Sequence, residues 1–344
     1  MVNAHTHLEL TDIGPKPYDP AGGFVGWVKM LRDNNPADFV ERRESAGRGA
    51  LRAKAAGVQA VGDIASSLVY AVTRMNRGVL GQTYAELFGI DPGVAADSLP
   101  SFLPPHEAEA GLQPHAPYSA GPALYASAAS TGRPVSTHLA ETQEEARFVA
   151  QGDGPWLDYL KSLGKWDDAF AAYYGQGLSP VQWMRPHLEA AANDGGWVVA
   201  HCNYVSDEDI RILADTNTSV AYCPIASEYF GHTGHRYRDM LAAGVNVCLG
   251  TDSIVCALPD DPQPLGLLSA MRRLYARDGT EPDTLLQMAT VNGARALRMP
   301  DTAATLRPGA SAKFALIDFD TDKEEDGLRQ AMVSDALVEW LDLT

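Results

Sequence analysis

VNAHTHLEL, residues Val2 to Leu10, is the stretch whose reading decides the fold. It is strand-like and carries a histidine pair, His5 and His7. At i, i+2 a strand points both imidazoles to one face, where they can hold a single ion, whereas a helix would splay them. Nine histidines among 344 residues give about 0.2 such triplets by chance, so the pair alone is weak evidence. Four further stretches strengthen it: QPHAPYSAG (113–121), VSTHLAET (135–142), VVAHCNYVSDED (198–209) and NVCLGTDS (246–253). His138, His201 and Asp252 each follow a short strand-like run. A (β/α)8 barrel gathers such strand ends around one mouth, so sequence distance between them ceases to matter.

Outward from these stretches, short β-like runs alternate with helical patterns, the signature of a mostly parallel sheet wound with helices. Strands are expected near Val2–His7, Val58–Ala65, Val79–Phe88, Leu112–His115, Pro134–His138, Trp197–His201, Ser219–Pro224 and Asn246–Asp252. Helical patterns occupy Ala37–Ala56, Leu68–Arg77, Pro122–Ser130, Thr142–Ala150, Pro180–Ala192, Ser206–Thr216, Tyr237–Ala243 and Pro264–Ala276, with Pro282–Met288 and Asn292–Leu297 closing the barrel. Ser206 ahead of three acids and Thr142 ahead of Glu144 and Glu145 mark two helix starts, each just after a candidate site residue. Residues 91–105 are Pro-rich and read as loop, 320–326 as a charged solvated stretch, and 312–318 as a last strand. The expected fold class is α/β, a TIM-type barrel over residues 1–305, followed by a C-terminal strand and helix segment, 306–344.

Composition narrows the function classes. The 27 Lys+Arg against 44 Asp+Glu leave a net charge of -17, which repels phosphate backbones and argues against nucleic acid or anionic membrane as partner. No apolar run approaches the roughly 18 residues of a membrane span, and no signal peptide is evident, so the cytoplasm is the expected location. Cys202, Cys223, Cys248 and Cys256 show no CxxC spacing and read as small hydrophobes.

Taken together, the ordered stretches resemble the amidohydrolase superfamily. Within it the chain looks most like the purine-deaminating branch that acts on S-adenosylhomocysteine, methylthioadenosine and aminodeoxyfutalosine. THLAETQEEARFV, AHCNYVSDEDI, YCPIASEYFGH and MLAAGVNVCLGTDS are most similar to the aminodeoxyfutalosine deaminases of a menaquinone pathway. The resemblance implies one divalent metal, zinc ahead of iron, on His5, His7, His138 and Asp252, a donor set that suits either ion. It implies a proton-transfer role for Glu141, in an HxxE with His138, although a helix-start acid beside Thr142 is the plain alternative. His201 matches a histidine that orients the attacking water rather than binding metal, sharing proton handling with Asp252. His115 is carried over as a substrate contact; a structural histidine holding its loop through Tyr118 is the alternative.

Other site residues come from position alone. Phe24 and Trp27 lie in a long Gly-flanked loop after the first strand, where an aromatic can cover a purine. Arg236 and Arg238 are the basic residues nearest the mouth after the seventh strand, suited to a carboxylate on the substrate. His232 and His235 form a loosely spaced second pair, weak as a metal site.

Two departures from the family pattern stand out. Only Met1 to Ala4 precede His5, so either the start is misplaced or the small β-domain at the termini is reduced or incomplete. Its C-terminal strand would then lack a partner and invite pairing with another subunit, as a homodimer or hetero-oligomer. In YCPIASEYF, Ile225, Ala226 and Ser227 stand where a basic or amide side chain is usual, which leaves the substrate open. The expected activity is deamination of a small-molecule adenine nucleoside, aminodeoxyfutalosine first. A chlorohydrolase-type reaction or a catalytically silent subunit are the alternatives.

Overall fold

Eight short strands, most of them buried along their whole length, form one parallel sheet. They are β1 (Val2–Thr6), β2 (Ala60–Ala65), β3 (Leu80–Leu87), β4 (Gly111–Pro114), β5 (Val135–Leu139), β6 (Trp197–His201), β7 (Ser219–Tyr222) and β8 (Asn246–Leu249). Each is hydrogen-bonded to the next in sequence order, and a Thr6–Asp252 bridge brings the first back to the last. Strands covered by helices outside and packed side chains inside read as continuous apolar runs, which is why WVVAH and NVCL show no polar alternation. In this computed structural model, residues 1–91, 110–310, 313–319 and 327–342 are described. The expected loop at 91–105 and the charged stretch at 320–326 lie almost wholly outside them.

The outer ring is α1 (Gly23–Asn34), α2 (Phe39–Ala55), α3 (Val69–Asn76), α4 (Pro122–Ala129), α5 (Gln143–Gln151), α6 (Pro155–Ser162), α7 (Pro180–Ala191), α8 (Asp207–Asp215), α9 (Pro224–Tyr229), α10 (Tyr237–Ala242), α11 (Leu268–Asp278), α12 (Pro282–Met288) and α13 (Val291–Ala296). The two expected helix starts are capped as their sequences imply. Thr142 accepts the Glu145 N–H, and Ser206 with Asp209 forms a reciprocal capping box.

Three expectations need correction. Phe24 and Trp27 sit on helix α1, not in a loop, because Gly23 at φ 60 turns the chain into a helical register that the flanking glycines had masked. The helix expected from Pro264 begins at Leu268, after a turn. The C-terminal strand β9 (Lys313–Ile317) does not lack a partner: beyond helix α14 (Gly327–Val333), strand β10 (Val338–Asp342) pairs with it antiparallel. Gln263 brackets Val338, its amide donating to the carbonyl at 3.0 Å and its oxygen accepting the N–H at 2.9 Å, which ties this small sheet to the barrel.

The β1–β2 pairing carries the irregularity that matters most for the site. Asn3 faces Val61 and Thr6 faces Asp63, so β1 uses one more residue than β2 between these pairs. Such a bulge re-aims side chains, here Ala4 and His5. Gly62 makes it possible, because a β-carbon there would lie 2.2 Å from the Ala4 carbonyl oxygen. Gly62→Ala is therefore expected to destabilise the fold by about 1–3 kcal/mol, the range for overpacking. Urea unfolding measures it, and an unchanged midpoint would refute the close approach.

Candidate active site

Backbone geometry aims the polar groups inward. His5 is held by its carbonyl, which accepts the N–H groups of both Thr251 and Asp252, at 3.0 and 3.1 Å. Gly250 lets β8 come this close, since a β-carbon there would meet Cys223 Sγ at 2.8 Å and His5 Cβ at 3.0 Å. Ala140, His201, Cys202 and Asp252 all adopt left-handed backbone, with φ of 51, 73, 53 and 58. Such conformations at non-glycine residues cost about 1–3 kcal/mol each and cluster at functional sites.

The structure brings His5, His7, His138, His201, Glu141 and Asp252 together. His7 Nε2 lies 3.2 Å from His138 Nε2 and 3.5 Å from Asp252 Oδ1, and His5 Nε2 lies 4.0 Å from the same oxygen. The donor atoms of His5, His7 and Asp252 fall within 4.8 Å of one another, as do those of His5, His138 and His201 and those of Glu141, His201 and Asp252. A fully buried His5 with neither ring nitrogen hydrogen-bonded is costly unless something else satisfies it, and a cation at this convergence does so. His201 Nε2 is likewise buried without a hydrogen-bond partner. His138 Nδ1 faces the His115 carbonyl at 2.9 Å, so its proton belongs there and Nε2 presents its lone pair to the site. Burial pushes His5, His7 and His201 well below the ordinary histidine range and His138 down to about 4, the neutral form a metal needs. The residues fit a divalent ion.

Glu141 Oε1 stands 3.5 Å from His201 Nε2. Burial, then the Asp252 and Glu145 carboxylates, raise the Glu141 carboxyl well above its usual range, and burial raises Asp252 to about 7. A shift in this direction favours the protonated form, which can donate a proton.

The remaining candidates divide. His115 is at the mouth, its Nδ1 2.6 Å from Ser119 Oγ and its Nε2 3.7 Å from Glu86 Oε1. Trp27 stacks on Phe24 and meets Phe230 edge-on at 5.0 Å, within an aromatic cluster that includes Tyr18. Arg236 is paired with Asp207 and Asp239, both at 2.7 Å, and Arg238 donates to the Asp278 carbonyl at 3.1 Å. Both arginines are thus engaged with the protein's own acceptors. His232 and His235 are not a metal pair: His232 Nδ1 meets Tyr204 Oη, while His235 uses both nitrogens, on the His201 carbonyl and the Tyr237 N–H. Glu86, half-buried beside His115 near the end of β3, escaped the sequence reading. Its position after TYA in a strand-like run was the available signal.

Comparison with known proteins now fits this geometry. The sequence profile of the Amidohydrolase family matches residues 1–338. The chain belongs to that family. Its members are metal-dependent. The 5-methylthioadenosine/S-adenosylhomocysteine deaminase of Thermococcus sibiricus is 29% identical over 213 residues, 60% of this chain and 44% of the relative. The 5'-deoxyadenosine deaminase of Methanococcoides burtonii is 34% identical over 129 residues, 36% of this chain and 29% of the relative. The chain therefore spans less than half the length of either. Helicobacter pylori aminofutalosine deaminase, crystallised with methylthio-coformycin, superposes with a TM-score of 0.76 at 19% identity, over 98% of this chain and 83% of that one. The atrazine chlorohydrolase of Arthrobacter aurescens, complexed with zinc, reaches 0.71 at 18% identity, over 99% and 82%. At such identities both show the fold alone.

Protein prepared without chelator is expected to carry about one equivalent of divalent metal per chain, and His138→Ala to lose it. Elemental analysis decides this, and full occupancy in the variant would remove His138 from the ligand set.

Proposed function

We propose that this protein is a metal-dependent hydrolytic deaminase of adenine-type nucleosides. The observation that carries the reading is the meeting of donors from β1, β5, β6 and β8 around a fully buried His5, with the Glu141 carboxyl 3.5 Å from His201 Nε2. His5, His7, His138 and Asp252 would hold the ion, and three imidazoles with one carboxylate favour zinc, with ferrous iron second. When bound, it lowers the pKa of a water towards neutrality.

The chain's own groups account for the proton movements. Asp252 and His201 take and orient the proton of the attacking water, which adds to the amino-bearing ring carbon. Glu141, its carboxyl raised by burial, donates to the adjacent ring nitrogen, so the developing negative charge never rests on the purine. The amino group then takes a proton and departs as ammonia, leaving a carbonyl. Nucleoside and water give the oxo-nucleoside and ammonia, with no redox partner. Glu141→Gln is expected to keep its metal and lose on the order of a hundredfold or more in kcat; a loss of only a few fold would return Glu141 to the role of a helix-start acid.

For the substrate beyond the ring, the paired arginines are the useful observation. A carboxyphenyl tail such as that of aminodeoxyfutalosine requires a free cation or several donors, and Arg236 and Arg238 are committed to Asp207, Asp239 and Asp278. The aromatic cluster of Tyr18, Phe24, Trp27 and Phe230 suits an uncharged 5' group. We therefore place adenine nucleosides with small uncharged 5' substituents, such as 5'-methylthioadenosine and 5'-deoxyadenosine, ahead of aminodeoxyfutalosine and of S-adenosylhomocysteine. Mass-spectrometric assay of this panel should show the highest kcat/KM for an uncharged member. A preference for aminodeoxyfutalosine would overturn the tail assignment while leaving deamination in place, and no turnover of any member would favour a catalytically silent chain.

A further inference from the structure

We propose that Glu145, Asn203 and Ser227 are positioning residues that clamp the Glu141 backbone from both sides. The inference rests on the reading of Glu141 as proton donor. Glu145, in the first turn of α5 and fully buried, accepts the Ala140 N–H on one carboxyl oxygen and the Glu141 N–H on the other, each at 2.8 Å. From the opposite side, the Asn203 amide donates to the Glu141 carbonyl at 2.9 Å. A carbonyl only accepts, so the Asn203 nitrogen must face it and the Asn203 oxygen must face away. That oxygen accepts from Ser227 Oγ at 2.7 Å. Both polar groups of the Glu141 peptide backbone are therefore fixed by buried side chains from β5–α5, the loop after β6, and α9.

The arrangement answers a specific mechanical need. Ala140, directly before Glu141, is held at φ 51, a conformation with a penalty of its own. Without partners on the next peptide, the turn between β5 and α5 can relax to ordinary backbone and swing the Glu141 side chain away from His201. A buried carboxylate is an expensive way to fill space, and a packing role alone is served better by an apolar residue. What Glu145 does that an apolar residue cannot is accept two consecutive N–H groups, one on each carboxyl oxygen. The chain recrosses the same seam elsewhere: the Cys202 N–H reaches the Leu139 carbonyl at 2.9 Å and the Tyr204 N–H the Ala140 carbonyl at 3.2 Å. Ser227 gains a role by this route. Its segment departs from the family pattern at the mouth, yet its hydroxyl points inward to Asn203, so this part of the departure bears on Glu141 and not on the substrate tail.

The test uses three variants of the full chain with its metal loaded. Ser227→Ala removes one hydroxyl, Asn203→Ala removes the link to the carbonyl, and Glu145→Gln turns one acceptor into a donor facing an N–H. With 5'-methylthioadenosine, kcat is expected to fall about threefold to tenfold for Ser227→Ala and about tenfold to a hundredfold for the other two, with KM within about threefold. In a Glu141→Gln background the same changes should lower the residual turnover no further, because they act only through Glu141. Equal losses in both backgrounds, or a loss confined to KM, would overturn the proposal. Amide hydrogen exchange supplies a readout that needs no substrate: Glu145→Gln should speed exchange at Ala140 and Glu141 while β1 and β8 stay protected, and unchanged exchange at those two amides refutes the clamp. If Glu145→Gln fails to fold, Ser227→Ala and Asn203→Ala decide by the background comparison. Should the wild-type protein turn over no nucleoside, the deaminase reading falls, and the exchange result alone decides the clamp.

Discussion

The closure of the barrel between its first and last strands is the constraint on which the rest depends. The His5 carbonyl takes two N–H groups from Thr251 and Asp252, the Thr6 hydroxyl donates to the Asp252 carbonyl at 2.9 Å, and Asn3 bridges to Thr251 through both ends of its amide. The residues that would hold a metal are thus also those that seal the sheet. Two of the donors, on β1 and beyond β8, are 247 positions apart in sequence yet joined by a single backbone bond. Their relative position is fixed by main-chain hydrogen bonds.

That seal leaves a local energetic debt. Four non-glycine residues in left-handed backbone lie at the ends of β5, β6 and β8 or just beyond, each of them a proposed site residue or next to one. Turning the chain out of a strand within one residue points the final side chain into the mouth, which ordinary β geometry cannot do at the same place. The strain is offset by hydrogen bonds that converge on these turns from neighbouring strand ends, and by the large apolar layer beneath. Stability and site geometry are coupled through the same few peptides.

What was legible in the sequence follows the same division. Elements whose identity depends on local pattern were readable: the eight strands, the capping residues Thr142 and Ser206, and the inward histidines at strand ends. Contacts made across the barrel were not. Helix α1 was hidden because glycines at positions 22, 23 and 26 lower helical propensity, while burial of Phe24 and Val25 restores it. β10 was missed since its sequence, VEWLD, mixes charge with apolar residues and finds its partner in β9 only through the fold. Arg236 and Arg238 looked available because Asp207 and the Asp278 main-chain carbonyl, which accept from them, are about 30 and 40 residues away in opposite directions, although Asp239 stands three residues beyond Arg236. Glu145 looked like one more helix-start acid.

The charge of the chain shows how far composition reaches and where it stops. A net charge of -17 lies mostly on exposed side chains, where it is screened within about 10 Å at ordinary ionic strength. Around the two arginines after the seventh strand the relevant quantity is local pairing: Arg236 is paired with Asp207 and Asp239, and Arg238 donates to the Asp278 carbonyl. Under the proposed reading, an uncharged 5' group needs no cationic partner, whereas an anionic tail drawn to Arg236 would compete with Asp207 and Asp239. The selectivity proposed for this chain therefore comes from the bonds its arginines already make, and a substitution at Asp207 or Asp239 that frees Arg236 is the route by which a relative with the same metal centre could come to prefer an anionic tail.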